Sequence, residues 1–466
     1  MKIISNPKTR QQGVALMITV IIVLIGAATL ASYLLVTENE SSAVARSQVW
    51  NNSLTLTEAG VEEALAFVNK YEGTFQLITN WATPASAQQD GWTVNGSTYT
   101  MTRSLGTNIG YYTVVITDTD PYHPNISSQG YAYTSYSAAQ SPFMVAGVGV
   151  VPSGLTFTAG TSTRGVAVTT MYAALFPDAI DSNTNIDLNG NNVRVDSFNS
   201  TNPATSIWNS SKGYGTYDPD IARAHGNVAT DSDVVGAVSV GQANVYGTIN
   251  TGPGGTATVG NNGYVGPLPQ SGSGIQPGYS NDTMNVTFPD VTLPAGAIGW
   301  TPFAGNTISS SGNYYLSSIN NSITIDAPYV TIFVNGSIGI SGNNAITLTT
   351  NVVNVTVYVA GPSVDIGGNG LVNNAGRAAA FSLYGLPSLT SINLHGNAQN
   401  TGTIYAPEAA FQFGGGGNNT MDFVGAIVVN SVKLNGHANF HYDESLATTG
   451  PGRGYVPTSW KEIGAN

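Results

Sequence analysis

Two pairs of aspartates are the residues of this chain whose types and spacing could hold a metal. Asp218 and Asp220 flank Pro219, and Asp231 and Asp233 flank Ser232. Closely spaced carboxylates, completed by carbonyls and water, are a Ca²⁺ donor set. The same residues also form turns, because a short carboxylate accepts a hydrogen bond from backbone two residues on. The turn reading is preferred, and neither metal nor any other cofactor is expected. His441-Tyr442-Asp443-Glu444 puts an imidazole beside carboxylates, the material of acid–base catalysis; its place near the end of a repetitive region reads as a polar cap. Arg194 and Asp196 are two residues apart, which puts them on one face of a strand. They read as a surface ion pair. A glycosidase needs two carboxylates flanking the bond, and a polysaccharide lyase needs an acidic Ca²⁺ cluster with an Arg or Lys base. No such set stands out, so the chain is read as a non-enzyme. Tyr111-Tyr112, Tyr131, Tyr133 and Tyr136, and Tyr314-Tyr315 are candidates for a glycan-facing surface, although Tyr fills packed faces equally well.

Composition narrows the class. Of 466 residues, 55 are Gly, 9% are charged and 41% are hydrophobic. Disordered chains combine low hydrophobicity with high charge, so this chain folds. Low charge with many short β-prone runs describes an exported, mainly β protein. There is no cysteine, which excludes disulfides, thiol catalysis and Cys-based metal sites. The formal net charge is −12 with 14 Lys and Arg in all. That balance excludes nucleic acid as a partner, since phosphate binding needs clustered cations.

The N-terminus carries the strongest signal. Lys2, Lys8 and Arg10 precede an uncharged run from Val14 to Val36, and Glu38 and Glu40 follow it. At ~1.5 Å per residue this run reaches roughly 35 Å, enough for a bilayer core of about 30 Å. The charge asymmetry keeps the N-terminus cytoplasmic and exports the rest. A secretory signal places its cleavage site after the apolar region; here the small residue, Gly13, comes before it. From Thr37 to Tyr71 there is no Pro and a single Gly. Ala43, Trp50, Leu54, Val61, Leu65 and Val68 fall on one helical stripe. The spacing therefore predicts a helix over 14–71.

Arg10-Gln11-Gln12-Gly13/Val14-Ala15-Leu16 resembles a type IV prepilin leader. The resemblance implies cleavage after Gly13 by a prepilin peptidase and N-methylation of Val14. Leu56-Thr57-Glu58-Ala59-Gly60-Val61-Glu62-Glu63-Ala64-Leu65 resembles the helix of PilX-type pilus assembly proteins. Most pilins carry Glu at the fifth mature position, where this chain has Ile18. That departure resembles the minor pilins, including tip-located pseudopilins of type II secretion systems, and argues against a repeating major subunit. The partners so implied are prepilin peptidase, other pilin subunits along the helix and the cytoplasmic membrane, with a glycan or surface ligand for the exported part.

Beyond a polar break at 72–90, residues 91–137 read as a small antiparallel meander. Asn95-Gly96 between two short strand patterns is a strong hairpin signal. From about 143 to 446, short Val/Ile/Leu/Thr runs alternate with Gly-Asn punctuation. The segment from Val330 is echoed from Val355, and that from Gly402 is echoed from Gly425. A drifting period of strand-length units without helices predicts a solenoid, a right-handed parallel β-helix. A β-sandwich is the alternative. Stacked at ~4.8 Å, about a dozen rungs would make a rod of ~60 Å. The C-terminal part also resembles an uncharacterised β-helical domain found behind PilX-like N-termini. The matching residues are Asn244–Ile249, Gly402–Pro407, Phe423–Ile427 and Phe440–Leu446. The expected organisation is a leader at 1–13, a membrane and amphipathic helix at 14–71, a linker with a small sheet at 72–142, the β-helix at 143–446 and a tail at 447–466. The expected role is that of a structural minor pilin or pseudopilin, inserted in the inner membrane before assembly and displaying its β domain outside it. A membrane-tethered carbohydrate-active enzyme is the alternative.

Overall fold

The computed structural model describes residues 8–70, 84–106, 109–117, 123–133, 161–190, 193–396, 400–415, 421–449 and 452–464. Residues 1–7 of the leader, Tyr136 and the first residues assigned to the β domain, 143–160, lie outside them. The chain is mainly β behind one long helix, and it divides into two compact units.

The first unit contains the helix α1, Lys8–Asn69. Its first half is apolar enough to cross a membrane, with a mean hydropathy of 2.7 in a window none of which is buried. Its second half packs on an antiparallel sheet of β1 (Thr93–Asn95), β2 (Thr98–Gly106), β3 (Gly110–Thr117), β4 (Asn125–Tyr133) and β5 (Thr161–Ala174). The final strand, Gly452–Ile463, completes the six-stranded order beside β5. The predicted meander is present. Asn95 faces Thr98 across the turn, and Gly96 takes the φ of +62° that such a turn requires. Along β3 and β4 every second residue is buried, as a sheet with one covered face demands.

Helix and sheet meet more closely than the predicted stripe allows. Ala43 and Trp50 are exposed, and the buried face is instead Ser53, Leu56, Thr57, Gly60, Val61, Ala64, Phe67 and Val68. This face still follows the helical period, but small residues populate it because the strands come nearly into backbone contact. A Cβ on Gly130 would lie 2.3 Å from the Ser53 carbonyl oxygen and 2.5 Å from the Thr57 nitrogen; one on Gly60 would lie 2.3 Å from Ser128 Oγ. The contact is also polar. The Gly130 N–H donates to Thr57 Oγ1 at 3.1 Å, and that hydroxyl lies 2.8 Å from the Ser53 carbonyl and 3.0 Å from the Arg164 carbonyl. At the lower end of α1, Phe67 stacks on Trp92 at 4.6 Å.

The second unit runs from Tyr172 to Gly454. The segment 447–466, expected as a tail, therefore contributes the last strand of the first unit's sheet, and the boundary falls within β5 rather than at 143. The second unit is built almost wholly of short strands in parallel register, gathered in large sheets of 22 and four strands. The sequence echoes are direct neighbours: Val330 pairs with Val355 and Gly402 with Gly425. Apolar residues stack in columns. One passes through Ile332, Val357, Leu383, Ile404 and Ile427, each in register with the next and none more than 5% exposed. Alongside it, Tyr315, Phe333, Tyr358, Tyr384 and Tyr405 are paired in the same way.

The stacking order departs from the sequence order. β6 (Ile180–Ser182), β7 (Ile186–Asp187) and β8 (Arg194–Phe198) would begin a consecutive stack. Instead they lie in its middle. On one side β6 pairs with 427–429, β7 with 432–433 and β8 with 439–443. On the other they pair with 228–230, 238–239 and 244–245. The column continues without a break from Ile427 through Ile180 and Val228 to Ile249, all 0% exposed. The half 180–281 runs outward from this seam, and the half 301–443 runs in from the far end and finishes on it, so both advance the same way along the stack.

One segment must return from one end of the stack to the other, and 282–300 does so. Met284 N donates to the Thr251 carbonyl at 3.0 Å, Val286 N donates to Asp231 Oδ1 at 3.2 Å, and the Tyr405 hydroxyl donates to the Pro289 carbonyl at 2.8 Å. Beyond Ala297–Gly299, Thr301–Pro302 pairs with Tyr314–Tyr315 at the far end.

Gly130→Ala tests the helix–sheet contact. Its Cβ has no room unless the two backbones separate, so equilibrium denaturation should show a loss of about 1–3 kcal/mol.

Candidate functional site

Two regions bring together side chains with functional chemistry: the N-terminal helix and the seam. On α1, Val14 and Ile18 are 58% and 52% exposed. The helix continues through Gly13–Val14 without interruption. Further down, Glu63 faces the sheet and is held by Arg103, whose Nε donates at 2.9 Å, and by the Tyr112 hydroxyl. Burial, then the hydrogen bond to Glu63, pushes the Tyr112 hydroxyl up to about 12. This cluster pins the helix to the sheet.

At the seam, β8 runs beside 438–443 in parallel register, so His441 lies opposite Asp196. His441 is 2% exposed and Asp196 is 0% exposed. His441 Nδ1 is 2.6 Å from Asp196 Oδ1, and Nε2 is 3.5 Å from Asp422 Oδ1. The Tyr217 ring covers the imidazole at 3.6 Å, and its hydroxyl donates to Asp196 Oδ2 at 2.7 Å. Arg194 Nε donates to the same oxygen at 2.5 Å. Two expectations are corrected here. His441-Tyr442-Asp443-Glu444 is no end cap, because β8 continues the stack beyond it. Arg194 and Asp196 do share a face, but with the carboxylate in the interior rather than at the surface.

The electrostatics follow from this enclosure. Burial alone would lower the His441 pKa, but hydrogen bonds and charge from Asp196 and Asp422 outweigh it and raise it. Asp422 is held below the usual carboxylate range, chiefly by its hydrogen bond with His441. Asp443 is raised by burial, partly offset by N–H donors from Ser200 and Ser445. Next to the cluster, Glu444 Oε1 gathers Ser197 Oγ at 2.8 Å, His225 Nδ1 at 2.9 Å and Arg223 Nε at 3.0 Å. Both imidazole nitrogens of His441 face carboxylates and its ring face is covered. As a chemical object the cluster is a charged clamp between distant strands.

The aspartate pairs are divided between different tasks. Asp218 caps the short turn Pro219–Ile221 by accepting from Asp220 N at 3.0 Å. Asp231 holds the returning segment through Val286 N. Among the described residues no group of three or more His, Asp or Glu is arranged to hold a metal. Sequence reasoning missed Tyr217 and Asp422 as partners of His441. No local spacing connects them; Asp422 comes in on the strand paired with 438–441, and Tyr217 from the loop after 214–216.

Residues 280–449 match a family described as a domain of unknown function, DUF7305. The match begins where the first half of the stack ends, and it takes in the returning segment and the second half. No curated protein matches the chain. Among solved structures, the chain is similar to the competence-associated pilin ComZ from Thermus thermophilus, at 13% identity over 89% of this chain and 97% of that chain, with a TM-score of 0.26. A score of that size does not define a shared fold.

The seam has a pH signature. A raised imidazole pKa contributes stability that is fully present below the unfolded-state value of about 6.5 and is lost as pH rises through the folded-state value. The melting temperature of the second unit should therefore fall as pH rises above about 6.5. His441→Gln should flatten that fall while lowering stability at pH 6, as read by calorimetry.

Proposed function

We propose that this chain is a minor pilin or pseudopilin: a subunit anchored and assembled through α1 that displays the second unit outside the cytoplasmic membrane. The observation that supports this best is α1 itself. It is one helix of 62 residues, exposed and apolar at its start and packed on an antiparallel sheet at its end. An apolar helix face with nothing over it needs lipid before assembly and neighbouring helices after it. The basic leader residues ahead of Val14 favour processing after Gly13 by a prepilin peptidase, with methylation of Val14. The second unit, on this reading, is a parallel β-helix. Its in-register parallel columns support that architecture over a sandwich, whose strands pair antiparallel. Its work is surface display and adhesion rather than turnover, because its best-enclosed acid–base group, His441, is closed off on both nitrogens.

Mass spectrometry of the mature chain from membranes or sheared filaments tests the processing. The expected N-terminus is methylated Val14, and Gly13→Leu should leave the leader attached. Recovery of Met1 on the surface-exposed protein would refute prepilin processing.

Ile18 bears on position in the filament. A Glu at this depth must be paired, since an uncompensated charge there costs about 2.5 kcal/mol or more; the amine of an adjacent subunit is the partner the pilin resemblance implies. A subunit with Ile18 lacks that docking contact and is suited to a filament end. Immunogold labelling of sheared filaments should mark ends. Dense labelling along their length would overturn the end assignment and leave the pilin reading standing.

A further inference from the structure

One feature of the second unit contributes nothing to its core. Ile207–Asn209 and Tyr214–Thr216 form an antiparallel hairpin, paired only with each other, beside the parallel stack. A lone hairpin is marginal in water, and this one is fastened through its second strand. The Gly215 N–H donates to the Ser200 carbonyl at 2.8 Å, and the Tyr214 hydroxyl donates to the Ala375 carbonyl. Between the hairpin and the turn at Gly376 lies an open pocket of about 330 Å³, lined by Trp208, Asn209, Ser210, Lys212, Tyr214 and Gly376 among others. That volume is at the small end of ligand sites and suits one or two sugar rings.

The lining has a consistent chemistry. Trp208 and Tyr214 are half-buried and stay outside the hydrophobic core. Each keeps part of its side chain exposed. The Tyr214 ring has Lys212 Nζ 5.6 Å and Arg377 Cζ 5.3 Å from its centroid. Arg377 also donates to the Val353 carbonyl at 3.0 Å, which steadies it. Neither cation has a carboxylate partner among the described residues, whereas Arg194 and Arg223 in the same unit are paired with Asp196 and Glu444. No Asp or Glu lines the pocket, although acidic residues outnumber basic ones by 26 to 14 in the chain. Asn209 Oδ1 is engaged by the backbone N–H groups of Ser211 and Lys212 at 3.1 and 3.2 Å.

We infer that this pocket binds an anionic saccharide, a sugar unit carrying a carboxylate of the uronic acid type. The apolar face of a pyranose packs on the rings of Trp208 and Tyr214, the ammonium of Lys212 pairs with the carboxylate, and Asn209 and Ser210 serve hydroxyls. Aromatic rings supply contact area at low entropic cost, and a charge-assisted pair supplies selectivity for the acid over its ester. The inference deepens the display reading by naming a ligand class. It rests on that reading only for the pocket's exposure outside the cell.

Calorimetric titration of the full chain in detergent tests it, with trigalacturonate, its fully methyl-esterified form and inorganic sulfate as probes. Trigalacturonate should bind, at least tenfold more weakly after Trp208→Ala or Lys212→Met. The ester should depend on Trp208 and be indifferent to Lys212→Met. Lys212 is exposed, so that variant remains informative if Trp208→Ala does not fold. Absence of trigalacturonate binding, binding unchanged in both variants, or equal binding of sulfate would each overturn the proposal. A null result in purified protein leaves the filament reading intact, and failure of filament labelling leaves the pocket intact.

Discussion

The second unit depends on the pairing of residues 427–443 with β6, β7 and β8. These segments are separated by more than half of the chain, yet each of the three strands meets its parallel partner in the same order. A parallel strand pair cannot be closed by a tight turn, so nothing local holds this seam. What holds it is the burial of Ile427 on Ile180 and of Val432 on Ile186, together with the clamp of His441 by Asp196 and Asp422. Paired buried charges add little net stability over apolar packing. They do penalise misregister heavily, because a slip of one residue would leave a carboxylate buried without its partner. The clamp thus specifies the seam, and the columns of apolar side chains stabilise it.

The returning segment follows from the same constraint. With the first strands in the middle of the stack, the chain builds outward to one end, crosses to the other and builds back to the seam. Residues 282–300 make that passage with few regular hydrogen bonds, fastened at Thr251, Asp231 and Tyr405. Asp231 serves structure here, because its carboxylate accepts the Val286 N–H of the returning segment.

The first unit solves a different problem. A helix that continues a membrane-type segment must carry its sheet without a bulky apolar face extending up into the span. Close approach does this. Gly60, Ala64 and Gly130 bring backbones together, and Thr57 exchanges hydrogen bonds with both sides. The close fit compensates for the small side chains, since dispersion depends on the number of atoms in contact.

Local signals were enough to mark some of the elements. Apolar length and flanking charge marked α1, Asn95-Gly96 marked the hairpin, and the echoes at 330/355 and 402/425 marked neighbours in the stack. Each of these is set by residues within one turn or one repeat, where period and turn chemistry decide the outcome. Tertiary structure alone decided what required long-range register. It placed β6–β8 inside the stack, made His441-Tyr442-Asp443-Glu444 an interior strand, buried Asp196 and drew 452–463 into the sheet of the first unit. It also left Ala43 and Trp50 outside the helix's buried face and brought Ser53, Thr57, Gly60 and Ala64 into it beside Val61 and Val68. The physical reason is common to all of these. An isolated strand has the same pattern whether it is first, last or central in a stack, and only the side chains that meet it across hundreds of residues distinguish the positions.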